Sequence, residues 1–314
     1  MVLICPICSE NNLEYTSNHL DWENIKIYYC QSCNYWFTNP EPTEIELNQH
    51  YQSIYSEKRD NYFGDVYYDI MEKRAKAQIK FIKTYIEQNN HLSQWKAIDI
   101  GCGIGALVSS LEKETAFAIG YDSDRTAIKI GKSLWNSNIY QNDSDISQKY
   151  NQDFDLLCMS HVVEHLPNIK QSLHNILSIL KPNGYIFIEV PNCFPEMFSN
   201  KVDTESHLHF FTQNSLIKLL DCLNLEVITC QSCGIPKFQG YNQVNSKKQN
   251  IFNQLLSRLK IKNILKKIFK IINRKNDNSS LNVKIKTIYD GFYDLYYPVE
   301  TPDGIWLRCL ARKK

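Results

Sequence analysis

The chain has 314 residues, of which 43% are hydrophobic, and a formal net charge of +1. That is enough length and apolar content for one large folded unit and a small one. No run of eighteen apolar residues occurs, so no membrane-spanning helix is expected. The opening MVLICPICSE also lacks the basic-then-apolar pattern of a secretory leader. The eleven cysteines are odd in number and fall mostly in apolar patterns. A reducing, cytoplasmic setting is therefore expected rather than a disulfide framework.

Residues 1–42 contain two C-x-x-C knuckles, Cys5-Pro-Ile-Cys8 and Cys30-Gln-Ser-Cys33, separated by twenty-one residues. Four thiolates so spaced can close a tetrahedral Zn2+ site, as in zinc ribbons. A unit this small cannot bury enough apolar surface alone, so the metal would supply much of its folding energy. Four cysteines leave no open coordination position, which makes the expected zinc structural. Cys230-Gln-Ser-Cys233 repeats the second knuckle but has no partner pair, and it ends a predicted strand. Coincidence is the better reading there. Residues 43–64 form a polar, Tyr-rich connector.

From residue 65 onward, strand and helix patterns alternate. Val66, Ile70, Ile79, Ile82 and Ile86 have helical spacing over 65–89. Strands are predicted at 96–100, 117–121, 138–141, 154–160, 185–190 and 225–231, and helices at 105–113, 124–134, 168–180 and 213–223. After a long interruption, 304–312 (GIWLRCLAR) reads as the returning strand of the same sheet. The fold class is therefore α/β: a Rossmann-like, doubly wound sheet, mostly parallel with an antiparallel last strand, plus the small N-terminal ribbon.

The stretch AIDIGCGIGA (97–106) is a buried strand, a turn bearing Gly101, Gly103 and Gly105, and a helix start, and Asp122 ends the next strand. Such glycines let backbone approach a ligand, and a carboxylate at that strand end can take both ribose hydroxyls. An adenosine-containing cofactor follows, and two fingerprints fit. G-x-G-x-x-A with Asp122 is the dinucleotide pattern, which would make a nicotinamide (NAD) dehydrogenase. D-x-G-x-G-x-G from Asp99 resembles motif I of class I S-adenosylmethionine-dependent methyltransferases.

Downstream segments favour the second. FDLLCMSHVVEHLPN (154–168), Leu180-Lys181-Pro182-Asn183-Gly184, Ile188-Glu189-Val190-Pro191-Asn192, His207-Leu208-His209-Phe210-Phe211-Thr212 and the closing 306–314 all resemble that family. The resemblance covers roughly 65–235 and 288–314. An N-terminal ribbon on such a domain resembles bacterial methyltransferases of sugar and surface-glycan biosynthesis. The resemblance implies a methyltransferase domain over 65–314 with S-adenosyl-L-methionine as cofactor. Asp99, Gly101, Gly103 and Gly105 would line its methionine end. Asp122 would hold the ribose, and Ser123 would lie against the adenine. Asp143, with Asp145 as the alternative, would meet the adenine amino group, and Ser160 would border the cofactor.

His161-Val162-Val163-Glu164-His165 matches H-x-x-E-H, a zinc-protease signature. It follows a buried strand directly rather than lying inside a long helix, and Pro167 comes at once, which argues against a protease. In the methyltransferase reading this loop lies at the carboxyl edge of the sheet, where open α/β sheets bind ligands. Some small-molecule O-methyltransferases have E-x-x-E-H here and bind a divalent ion; His161 replaces the first Glu in this chain. His207 and His209 are two apart, so at most one faces the site if the segment is extended. One of His161, His165, His207 and His209, with Glu164 beside them, is the expected catalytic base, because imidazole titrates near neutrality. Alternatively, Glu164 and His165 cap or orient the next helix.

Residues 245–286 carry twelve Lys/Arg against one acid, Asp277. Within them, 249–275 has Ile, Leu and Phe at helical spacing, with a register slip that favours two short helices. Such a basic amphipathic insert packs on the domain or a partner, or else touches an anionic membrane from its inner face. Membrane contact would make a lipid-linked glycan acceptor attractive. RNA is the rival acceptor, with ribbon and insert gripping phosphates. Against it, Lys26 is the only cation between Met1 and Pro42, and no Asn-Pro-Pro-Tyr motif occurs. The expectation is transfer to a small-molecule or glycan hydroxyl. A non-catalytic zinc module is the remaining alternative.

Overall fold

The computed structural model describes residues 3–43, 45–47, 49–50, 65–86, 91–142, 146–195, 198, 206–236 and 304–314. Most of the connector, Asp143, Asp145 and the whole basic insert lie outside the described residues.

The N-terminal unit, called the ribbon below for its shape alone, contains three antiparallel strands, β1 (Leu13–Asn18), β2 (Lys26–Cys30) and β3 (Tyr35–Asn39). The main sheet contains β4 (Lys96–Ile100), β5 (Phe117–Asp122), β6 (Ile139–Gln141), β7 (Phe154–Ser160), β8 (Leu180–Pro191), β10 (Leu225–Pro236) and β11 (Gly304–Lys313). Its order is β10-β11-β8-β7-β4-β5-β6. The run from β6 through β5, β4 and β7 to β8 is parallel, and β11 lies antiparallel between β8 and β10. This is the doubly wound sheet with a returning last strand that the alternation predicts. β8 begins earlier than expected: Leu180 already pairs with Phe154, and the chain bulges before Tyr185 pairs with Leu156.

Alternate residues of each strand feed two different cores, as the two-residue period of a strand requires. Ala97, Ala118, Leu156, Cys158 and Phe187 face α1 (Asp65–Tyr85), α2 (Ala106–Leu111) and α3 (Arg125–Trp135). Ile98, Ile119, Leu157, Ile186 and Ile188 face α5 (Ile169–Leu177) and α6 (Gln213–Cys222). The one-turn helix α4 (Ile146–Lys149) precedes β7. No helix among the described residues is long and apolar enough to cross a membrane.

The second core does not stop at the main sheet. Cys5, Ile7, Cys30, Cys33, Tyr35 and Phe37 of the ribbon are continuous with it. The two-residue strand β9 (His209–Phe210) pairs with β3, matching Phe37 to His209 and Trp36 to Phe210. Thr212 then caps α6 in a reciprocal box with Ser215, and its hydroxyl also donates to Asn34 O at 2.8 Å.

Candidate active site and cysteine centre

The sheet order reverses between β4 and β7, and the loops after both strands meet at that switch point. The glycine turn follows β4. The amides of Gly101 and Cys102 both donate to Tyr121 O, at 2.8 and 3.1 Å, folding the turn onto β5. Gly101 has φ +73°, and a Cβ there would stand 2.2 Å from Val162 Cγ2. The turn is thus pressed against the histidine loop. Gly103 has φ +53°, and a Cβ there would meet nothing within 4 Å, so its backbone lines open space.

Two carboxylates frame that space. Asp122 accepts Gly103 N at 2.7 Å and Asp124 N at 2.8 Å, which fixes its orientation at the end of β5. Ser123 is exposed beside it. Asp99 is 2% exposed, and its Oδ1 has no hydrogen-bond partner. Burial, reinforced by Asp122, pushes its carboxyl up to about 8. A buried carboxylate oxygen lacking a donor, beside a glycine cradle, suits a cationic amine carried by an adenosine ligand.

The loop after β7 carries His161 in a left-handed conformation, φ +56°. Its Nδ1 lies 3.3 Å from Glu164 Oε1 and its Nε2 3.8 Å from Glu189 Oε1. The imidazole is 28% exposed, whereas both carboxylates are essentially buried. His161 also stands edge-on to Trp306, with ring centroids 6.5 Å apart. Residues 163–165 form one tight helical turn that brings Glu164 back beneath His161.

Behind this pair sits an ionic network. Glu189 accepts Arg74 Nε at 2.8 Å, Gln78 Nε2 at 3.2 Å and Arg308 Nε. Ser160 Oγ accepts from Arg74 Nη2 at 2.7 Å and Gln78 Nε2 at 2.9 Å. Burial opposes ionisation of Glu189, but the two guanidiniums outweigh it and hold the carboxyl far below its usual range. Glu164 is likewise disfavoured by burial, yet interaction with His161, His165 and His207 holds it to about 2. Burial lowers His165 and takes His207 down to about 3. His161 Nδ1, 3.3 Å away, is the imidazole nitrogen set against the Glu164 carboxylate, whose two oxygens make no well-aligned hydrogen bond among the described residues.

The expected histidines thus separate. His161, His165 and His207 gather around Glu164. His209 is buried on the ribbon side, with Nδ1 bonded to the Tyr35 hydroxyl and Nε2 2.7 Å from Leu166 O. Glu164, His165 and His207 each offer a ligand atom within 4.8 Å of the others, a donor set that divalent metals accept. Sequence reasoning missed Arg74, Gln78, Glu189 and Arg308 as site residues. A single charge within each apolar strand, IFIEVP and IWLRCL, was the available signal for Glu189 and Arg308. A groove of about 490 Å³ between α1 and α2, lined by Lys76, Lys80, Lys83 and Lys113, lies away from this chemistry.

The four expected cysteines converge. Cys5 and Cys33 Sγ are 3.9 Å apart and Cys8 and Cys30 Sγ 3.6 Å, with all four within 4.8 Å. Tetrahedral zinc with Zn–S bonds of about 2.3 Å needs sulfurs about 3.8 Å apart, so the site fits the ion. Burial pushes the Cys5 thiol up to about 12, a cost that a bound cation would relieve. Cys230 and Cys233 do not join a metal-ligating group among the described residues; Cys230 pairs across the strands with Cys309.

A family model described as a methyltransferase domain matches residues 62–230. The chain belongs to this methyltransferase-domain family. The matched span ends within β10, so it holds the glycine turn, the His161 loop and Glu189. The four cysteines and β11 lie outside it. Among curated relatives, a ubiquinone biosynthesis O-methyltransferase of Coxiella burnetii is 31% identical over 113 residues, covering 34% of this chain and 48% of its own length. A mitochondrial one of Dictyostelium discoideum is 29% identical over 186 residues, covering 54% and 53%. The chain therefore spans about half the length of these curated relatives. Among solved structures, a SAM-dependent methyltransferase of Archaeoglobus fulgidus is 18% identical, covers 77% of this chain and 94% of its own, and has a TM-score of 0.46. In this methyltransferase domain the glycine turn and the imidazole–carboxylate pair share one edge of the sheet.

Proposed function

We propose that the protein transfers a methyl group from S-adenosyl-L-methionine to a hydroxyl of a small molecule or glycan, with His161 as general base. The carrying observation is the placement of a partly exposed imidazole, Nδ1 3.3 Å from buried Glu164, against the glycine turn through Val162. The O-methyltransferase names of the curated relatives favour oxygen as the methylated atom. The sugar and surface-glycan acceptor rests on the ribbon resemblance and the chemistry of a weakly nucleophilic hydroxyl. In the same reading Cys5, Cys8, Cys30 and Cys33 hold one structural Zn2+.

The cofactor supplies an electrophilic methyl on a sulfonium. Asp99, Gly101, Gly103 and Gly105 would hold its methionine end and Asp122 its ribose. Glu164 faces His161 Nδ1 at 3.3 Å and would favour the proton there, leaving the Nε2 lone pair for the acceptor hydroxyl. His161 Nε2 would take the hydroxyl proton as the acceptor oxygen is methylated, the cofactor supplying the methyl and the thioether leaving group. The imidazolium so formed would lie between Glu164, on its Nδ1 side, and Glu189, 3.8 Å from Nε2. A positioned base of this kind contributes about 10²–10⁴-fold.

The test is labelled-methyl transfer into fractionated extract, counting small-molecule, glycan, lipid, RNA and protein pools separately. Label in the small-molecule or glycan pool is expected, and His161→Ala should lower the rate roughly 10²-fold or more without weakening cofactor binding. Label confined to RNA or protein would overturn the acceptor assignment. An unaffected His161→Ala rate would overturn the base.

A further inference from the structure

Residues 206–211 are bonded on both sides. Towards the ribbon, His19 Nε2 lies 3.0 Å from His207 O, Ser206 N donates to Asp21 Oδ2 at 2.9 Å, and Thr38 N donates to Leu208 O at 2.9 Å. Towards the catalytic loop, Leu208 N donates to Glu164 O at 2.8 Å, and His209 Nε2 reaches Leu166 O at 2.7 Å. His19 is 5% exposed and is sandwiched against Trp22, ring centroids 4.6 Å apart. Its Nδ1 accepts Asp21 N at 3.1 Å, which places its proton on Nε2, facing the His207 carbonyl. The tautomer therefore makes His19 a donor to the segment whose next amide holds the Glu164 backbone.

We propose that His19 is a positioning residue: through residues 206–211 it fixes Glu164, and so the tautomer and aim of His161. The ribbon then sets turnover at a site to which it contributes no reacting group. Displacements of an ångström in a catalytic pair cost orders of magnitude in rate, whereas cofactor binding at the glycine turn is carried by other elements. The proposal rests on His161 as the base.

The test uses full-length His19→Ala and His19→Gln, the latter retaining a side-chain N–H for the His207 carbonyl. Metal content, S-adenosylmethionine dissociation constant, transfer rate into the extract fraction labelled by the wild type, and the His161 tautomer by ¹⁵N side-chain spectroscopy are measured. In His19→Ala, unchanged metal and cofactor affinity are expected. The rate should fall roughly tenfold or more, and the single Nδ1–H signature of His161 should be lost; His19→Gln should restore both. Should His19→Ala not fold, His19→Phe, which keeps a ring against Trp22 but has no N–H for the His207 carbonyl, provides the same readouts. A folded, metal-loaded variant with unchanged rate and His161 tautomer overturns the proposal. If His161→Ala is itself fully active, the base assignment fails, while the tautomer readout still decides the role of His19.

Discussion

Asp99 shows what one residue can do to a binding curve. Its carboxyl sits at about 8 because of burial, with Asp122 adding to it, so near neutrality the ligand-free side chain is mostly protonated. A cationic amine binds the ionised form, so binding must expel a proton below that pH. Cofactor affinity should therefore strengthen by up to about tenfold per pH unit between pH 6 and 8, then level off. Calorimetry across that range should show the slope in the wild type and its absence in Asp99→Asn. Glu189 is the opposite case. Its folded value lies below its unfolded one, so its stabilising contribution is present at neutral pH and lost only as pH falls below the carboxylate range. Glu189→Gln removes the buried carboxylate that Arg74 and Arg308 share and should cost about 3–5 kcal/mol in denaturant unfolding. Of these residues, Asp99 was legible because the turn glycines mark its place. Arg74 was not, since it enters from α1, whose sequence has no link to the glycine turn.

At the scale of elements, α3 lies so close to the glycine turn that a Cβ on Gly131 would stand 1.9 Å from Ile104 O. Gly131→Ala should shift the helix, cost about 1–3 kcal/mol, and weaken cofactor binding, read by thermal melting and calorimetry on one sample. The strands 96–100 and 154–160 are found where their apolar runs predict them, and α6 starts at the expected residue because Thr212 and Ser215 supply its cap. β9 could not be read this way. Two residues carry no period, and the strand exists because β3 offers it a partner. The same pairing explains the buried His209, which in the sequence looks no different from His207.

At the scale of the molecule, the cysteine centre shares one apolar core with α5 and α6. Chelation should therefore remove about one equivalent of zinc and lower the main thermal transition, rather than melting a separate small unit. A main transition unmoved by metal loss, with one equivalent removed, would show that the shared core is not thermodynamically coupled. Cys222 Sγ approaches Ile7 O at 3.7 Å, and Lys218 Nζ donates to Ser32 O at 3.1 Å, so α6 braces the first knuckle and the loop of the second.

The β3–β9 ladder also imposes an order in time. The two cysteine pairs are close in sequence and leave the ribosome early. Tyr35, however, waits for a partner 174 residues later. At about 5–20 residues per second, that leaves the β3 edge without its partner for roughly 9–35 seconds of synthesis. The nascent chain is most exposed to wrong pairing in that interval, and arrival of His209 and Phe210 ends it.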